Sequence, residues 1–148
     1  MEIKVAKYAG FCFGVKRAVD ATFALAEQNT DAKIYTVGSL IHNPIVGERL
    51  AANGVGVLRE EHLDEDLQTA DPVSVFVIRT HGVSPEVLKK LRAFTEKNPG
   101  STVRDMTCPF VAKIYRIMEN NTSDDTFTIL IGTASHPEVV GIAGYTFR

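Results

Sequence analysis

The chain has 148 residues, 45% of them hydrophobic and 23% charged, with a formal net charge of −2. That composition fits one ordinary globular domain with a real core, and no basic excess points to nucleic acid or to a membrane surface. The N-terminus MEIKVAKYAG has no apolar leader, no apolar run approaches a membrane span, and two cysteines make no disulfide framework, so the cytoplasm is the expected compartment.

Glu2 to Ala6 alternates and reads as a short strand. GFCFGVKRAVD follows: Cys12 stands between Gly10 and Gly14, which permit a sharp turn and close approach. Val15, Ala18, Val19, Thr22, Leu25 and Ala26 then recur at helical spacing, so a helix is expected from Gly14 or Val15 to Gln28–Asp31. Its free first-turn amides would face Cys12, a position that favours a thiolate or an anion bound to one. A small buried cysteine in a tight turn is the plainer reading of the same stretch.

Lys33 to Val37 reads as a second strand and Val55 to Leu58 as a third. Between them Asn43 and Pro44 cap and open a helix that Gly54 stops. Arg59 to Asp71 is acidic and turn-rich, a solvated connection with room for one helical turn. Val73 to Ile78 is a continuous apolar, β-branched run, as in a strand covered on both faces. Ser84 and Pro85 start the next helix, which Asn98-Pro99-Gly100 ends. Thr102 to Asp105 is a strand, and Pro109 opens the helix FVAKIYRIMEN. Phe127 to Ile131 is read as a strand, with a last helix beginning near Pro137. The alternation predicts an α/β fold, a parallel sheet flanked by helices.

On this reading the loops after five strands carry Cys12, His42, His81, Cys108 and His136. In open α/β sheets such loops gather at the carboxyl edge, where ligands bind, and the helix starts there offer amides that suit phosphate. Singly, each histidine reads as an ordinary loop residue; together the five predict a site. His62, in EEHLDED, is assigned to the solvated surface. Structural zinc usually draws on close ligand pairs, which are missing here. Cysteine–histidine nucleophilic catalysis leaves Cys108 and two histidines idle. Widely spaced thiolates suit an iron–sulfur cluster, although clusters usually take more than two cysteines. The imidazoles suit a phosphorylated substrate. Glu138 can deliver a proton to the same pocket, or simply stabilise a helix start.

The segments GFCFGVKRAV, IHNPIVGERL, THGVSPEV, DMTCPFVAKIY and SHPEVVG, in that order, resemble the 4-hydroxy-3-methylbut-2-enyl diphosphate reductase family. The resemblance implies a three-lobed α/β architecture around a 4Fe-4S cluster held by three cysteines. It also implies reductive removal of an allylic hydroxyl, giving isopentenyl and dimethylallyl diphosphate in the methylerythritol phosphate route. By resemblance, Cys12 and Cys108 are cluster ligands, His42 and His81 grip the diphosphate, His136 lines the pocket near the hydroxyl, and Glu138 supplies the proton. An electron donor such as ferredoxin or flavodoxin is implied as partner.

The family's proteins are about twice this long, so the chain is expected to be an N-terminal part. Residues 1–108 would form the first lobe and 109–148 the start of the second, ending at Arg148 in or just after a helical stretch. The third cysteine, a pocket threonine and further Ser/Asn diphosphate contacts are expected beyond this chain, which alone should hold no stable cluster. Thr80, Met106, Val140 and Ile142 depart from the residues often found at their places. The competing readings are a non-catalytic phosphate- or metal-binding module and a thiol-dependent hydrolase or transferase.

Overall fold

The structure, a computed structural model, describes residues 1–28 and 31–146. The proposed helix end at Gln28–Asp31 falls partly, and the chain end at Arg148 wholly, outside the described residues. In order, the elements are α1 (Phe13–Glu27), β1 (Lys33–Val37), α2 (Pro44–Ala52), β2 (Gly56–Leu58), a 3-10 turn (Glu60–His62) and α3 (Leu63–Thr69). They continue with β3 (Ser74–Ile78), α4 (Pro85–Lys97), β4 (Thr102–Asp105), α5 (Pro109–Asn121) and α6 (Pro137–Gly144). The four strands form one sheet in the order β2-β1-β3-β4, and every pair is parallel.

This order follows from the connections. From β1 the chain steps outward to β2; it then returns past β1 to β3 and continues to β4. Right-handed crossovers that step in opposite directions must cover opposite faces of the sheet. The core divides accordingly. On one face Ala18 and Val19 of α1 pack with Val46 and Leu50 of α2 against Ile34 and Val77. On the other, Leu63 of α3 and Leu91 of α4 pack against Val37, Phe76 and Ile78. The alternation of Phe76 and Ile78 with Val77 is the period-two pattern of a strand buried on both sides.

Two expected strands do not form. Glu2 to Ala6 has no ladder, and Ile3 and Val5 are 76% and 79% exposed. Phe127 to Ile131 is likewise irregular, with Phe127 and Ile131 each 92% exposed. Both segments have strand composition but lie beside no sheet edge among the described residues, and a strand without a partner leaves its backbone groups to water. Arg59 to Asp71 is more ordered than expected: it holds the 3-10 turn and α3, because Leu63 and Leu67 sit one turn apart and enter the core. His62 lies exposed on that segment beside Glu65.

Leu91 is completely buried between α4 and the sheet. Leu91→Ala is expected to cost roughly 2–5 kcal/mol of stability, the range for a leucine-sized cavity. Urea unfolding should show a lower midpoint at an unchanged slope; an unaltered midpoint would mean that this face is not packed as described.

Candidate functional site

The strand order places a topological switch between β1 and β3, whose following loops leave toward opposite faces. In open α/β sheets the crevice at such a point is where ligands bind. His42 lies in the loop after β1 and His81 in the loop after β3, and their ring centroids are 4.7 Å apart. His136, directly ahead of α6, completes the group at 6.1 Å from His42 and 5.5 Å from His81. One nitrogen from each ring falls within 4.8 Å of the others.

Backbone bonds beyond the strand ends hold the loops together. Met106 donates to the Ile78 carbonyl at 3.1 Å, and Cys108 donates to the Thr80 carbonyl at 2.9 Å. The β3–β4 ladder thus continues past β4 and sets Cys108 beside the His81 turn. Thr80 is buried, and its amide and hydroxyl reach the Leu40 carbonyl at 3.5 and 3.4 Å, tying in the loop that carries His42.

Cys12 is the N-cap of α1 and Cys108 the N-cap of α5. A Cβ added at Gly14, in the first turn of α1, would lie 3.0 Å from Cys108 Sγ, so glycine lets the second sulfur approach the helix that Cys12 heads. Arg17 fixes the docking by donating to the Thr107 carbonyl at 2.8 Å. Cys12 is exposed and Cys108 half-buried. The loops after β1, β3 and β4 carry His42, His81 and Cys108; Cys12 and His136 come from irregular segments, not from the loops after strands that the sequence reading assigned them.

The helix starts fall into two kinds. The Asn43 side chain accepts from Val46 N, Ser84 from Val87 N, and His136 Nδ1 from Glu138 N at 3.2 Å. The helices headed by Cys12 and Cys108 have no side-chain cap. At each histidine-associated helix one first-turn amide is taken up by a side-chain cap, whereas at the cysteine-headed helices none is.

That cap also fixes the chemistry of His136. An amide N–H can only donate, so Nδ1 must offer its lone pair, and in the neutral ring the proton sits on Nε2. The free nitrogen of His136 is then a donor suited to an anion, whereas a metal ion would need its lone pair. His81 is half-buried, with Nδ1 buried and unpartnered among the described residues. Burial lowers its pKa from 6.5 to about 4, helped by His42, Arg79 and His136. Arg79 passes over Gly38, at φ +69°, to pair with Glu60, whose own carboxyl burial holds above the ordinary range. A cleft of about 390 Å³ adjoins the site, bordered by Ser39, Arg79, Ser135 and Pro137. Glu138 lies half-buried in the first turn of α6.

The LytB protein family model matches residues 3–148. The chain belongs to the LytB family. The 4-hydroxy-3-methylbut-2-enyl diphosphate reductase of Thermoanaerobacter sp. (strain X514) is 44% identical over 145 residues, covering 98% of this chain and 47% of the relative. That of Aquifex aeolicus (strain VF5) is 38% identical over 148 residues, covering 98% and 46%. A solved (E)-4-hydroxy-3-methyl-but-2-enyl diphosphate reductase, the terminal enzyme of the non-mevalonate pathway, matches with a TM-score of 0.74 at 37% identity over 97% of this chain and 46% of its own. The E-1-hydroxy-2-methyl-but-2-enyl-4-diphosphate reductase from Plasmodium falciparum gives 0.78 at 25% identity over 96% and 42%. This LytB chain spans about half the length of these relatives. No described helix is long and apolar enough to cross a membrane.

Sequence reasoning did not single out Arg17, Arg79 or Tyr115 in the LytB chain. Arg17 lies inside the motif around Cys12, and Arg79 directly precedes THG; their contacts span loops and leave no local pattern.

Because His81 titrates near 4 when folded and near 6.5 when unfolded, the unfolded chain binds more protons between those values. Its contribution to stability is therefore complete above about pH 6.5 and falls as pH drops toward 4. A ring NMR titration should find His81 neutral at pH 5.5, and His81→Gln should flatten the upper part of the acid loss of stability. An ordinary titration midpoint for His81 would contradict this environment.

Proposed function

We propose that the chain supplies the diphosphate-binding and part of the cluster-binding machinery of a 4-hydroxy-3-methylbut-2-enyl diphosphate reductase. The reading is supported chiefly by the three converging imidazoles at the switch point, one of them set by its cap to donate. The reaction replaces the allylic C–OH bond by C–H, consuming two electrons and two protons and releasing water. The products are isopentenyl and dimethylallyl diphosphate.

In this reading His42 and His81 hold the diphosphate. The His81 ring, held neutral by burial, acquires a proton more readily once an anion sits beside it, so binding and protonation reinforce each other there. His136 donates from Nε2 near the substrate hydroxyl, and Glu138 delivers the proton with which that hydroxyl leaves as water. Cys12 and Cys108 fit a 4Fe-4S group as donors: their sulfurs lie at two neighbouring uncapped helix starts, and neither is in a disulfide. When bound, the cluster supplies electrons and an iron with an open position.

The third cysteine belongs to the remainder of the longer protein, whose electron donor is a small redox protein such as ferredoxin or flavodoxin, and whose compartment is the cytoplasm. Residues 1–108 are assigned to the first of three lobes and 109–148 to the start of the second.

In the complete enzyme, His42→Ala or His81→Ala should weaken binding of a diphosphate ligand by roughly 1.5–3 kcal/mol, the scale of a charged hydrogen bond, while sparing the unphosphorylated alcohol. Calorimetry with both ligands makes the comparison, and equal losses would remove these residues from the diphosphate site. Glu138→Gln keeps the size of the side chain but not its acid. Turnover with an artificial reductant should fall at least tenfold while substrate binding largely survives. Near-normal turnover would leave Glu138 as a helix-start residue only.

A further inference from the structure

We infer that Tyr115 is a positioning residue for the histidine site, a spacer whose phenol fixes the His81 turn against the helix that His136 heads. Its functional consequence rests on the diphosphate reading above; its geometry does not. Tyr115 lies on α5, two turns beyond Cys108, and is 6% exposed. Its hydroxyl donates to the His81 carbonyl at 2.8 Å, a contact across 34 residues of sequence.

Two glycines make room for this phenol. A Cβ at Gly82 would lie 2.4 Å from the Tyr115 hydroxyl oxygen, and one at Gly141 2.3 Å from it. Gly82 has φ +71°, so the turn itself asks for glycine. Gly141 has no such excuse: it lies inside α6, where alanine would be the better helix former. What glycine provides at 141 is space for the hydroxyl. Tyr145 stacks on the same ring at 4.3 Å and 18°. The phenol is thus gripped by the His81–Gly82 turn on one side and by α6 on the other, while its own helix begins at Cys108.

Phenylalanine would fill the same pocket, so packing alone does not account for the hydroxyl. Burial, with Tyr145 and Glu138 nearby, pushes its pKa up and keeps it a neutral donor. The His81 and His136 rings stand 5.5 Å apart and edge-on, at the two ends of the segments the phenol separates. Shifting Tyr115 therefore changes the spacing that an anion would meet.

The test uses Tyr115→Phe, Gly141→Ala and the double variant in the full chain, read by imidazole 1H–15N spectra and by titration with inorganic pyrophosphate. Tyr115→Phe should move the His81 and His136 ring signals, leave those of surface His62 in place, and weaken pyrophosphate binding roughly two- to tenfold. Gly141→Ala should do the same by displacing the phenol. The double variant should bind about as well as Tyr115→Phe alone, a compensation relative to the summed losses, because without the hydroxyl the nearest ring carbon is 3.2 Å from the new Cβ. Unmoved His81 and His136 signals in Tyr115→Phe would overturn the inference, as would additive instead of compensating effects in the pair. If Gly141→Ala does not fold, Tyr115→Phe alone decides by the ring signals. Shifted signals and compensation in a protein that binds no pyrophosphate would support the spacer and reject the diphosphate reading. Pyrophosphate binding that is lost in His42→Ala but untouched in Tyr115→Phe, with static rings, would do the reverse.

Discussion

The site depends on a parallel ladder that runs beyond the ends of its strands. Thr80 accepts from the Cys108 amide on one side and reaches the Leu40 carbonyl on the other, so three loops are fastened where the regular sheet has already stopped. In a parallel sheet each strand end releases its chain in the same direction, and the loops would otherwise diverge toward helices on opposite faces. The extra bonds hold the reactive residues in the gap before that divergence. Burial of Thr80 makes these bonds costly to lose, since its polar groups have little water to turn to.

Within that frame, opposite electrostatic demands are kept apart. The histidines crowd together, and at His81 burial, reinforced by His42, Arg79 and His136, disfavours the charged form. Arg79, whose charge bears on His81, is paired with Glu60 beside the Gly38 backbone. The His81 ring therefore carries no charge of its own near neutral pH, and an anion beside it would favour its protonated form. A permanently cationic site would bind anions indiscriminately and repel its own members; one that charges on binding ties protonation to occupancy.

The sequence was most readable where the determinants are local. Asn43-Pro44 and Ser84-Pro85 announce helix starts through side-chain caps and a fixed proline φ, and both caps are made. The run from Val73 to Ile78 needs no partner to be recognised as a doubly covered strand, and it forms the sheet centre apart from Val73. Glu2 to Ala6 and Phe127 to Ile131 show the limit: strand composition states what a segment tolerates, whereas pairing requires an edge elsewhere. In α3 the acidic surface hid Leu63 and Leu67, two residues whose spacing carried the signal. For the site, residue chemistry and spacing along the chain suggested convergence, although only three of the five residues follow strands. Tyr115 was hidden because its role lies in two distant glycines, not in its own neighbours.

The division of helix starts into capped and uncapped has a practical consequence for cysteine replacement. Serine is the customary stand-in for cysteine, but at Cys12 and Cys108 it would be one of the best N-capping residues placed ahead of a helix that has no side-chain cap. Such a variant would gain a backbone interaction as it lost a sulfur. A firmer helix start would mask a loss of stability, and the serine hydroxyl would engage an amide that no side chain caps in the native chain. Alanine, which neither caps nor ligates, isolates the contribution of the thiol at both positions.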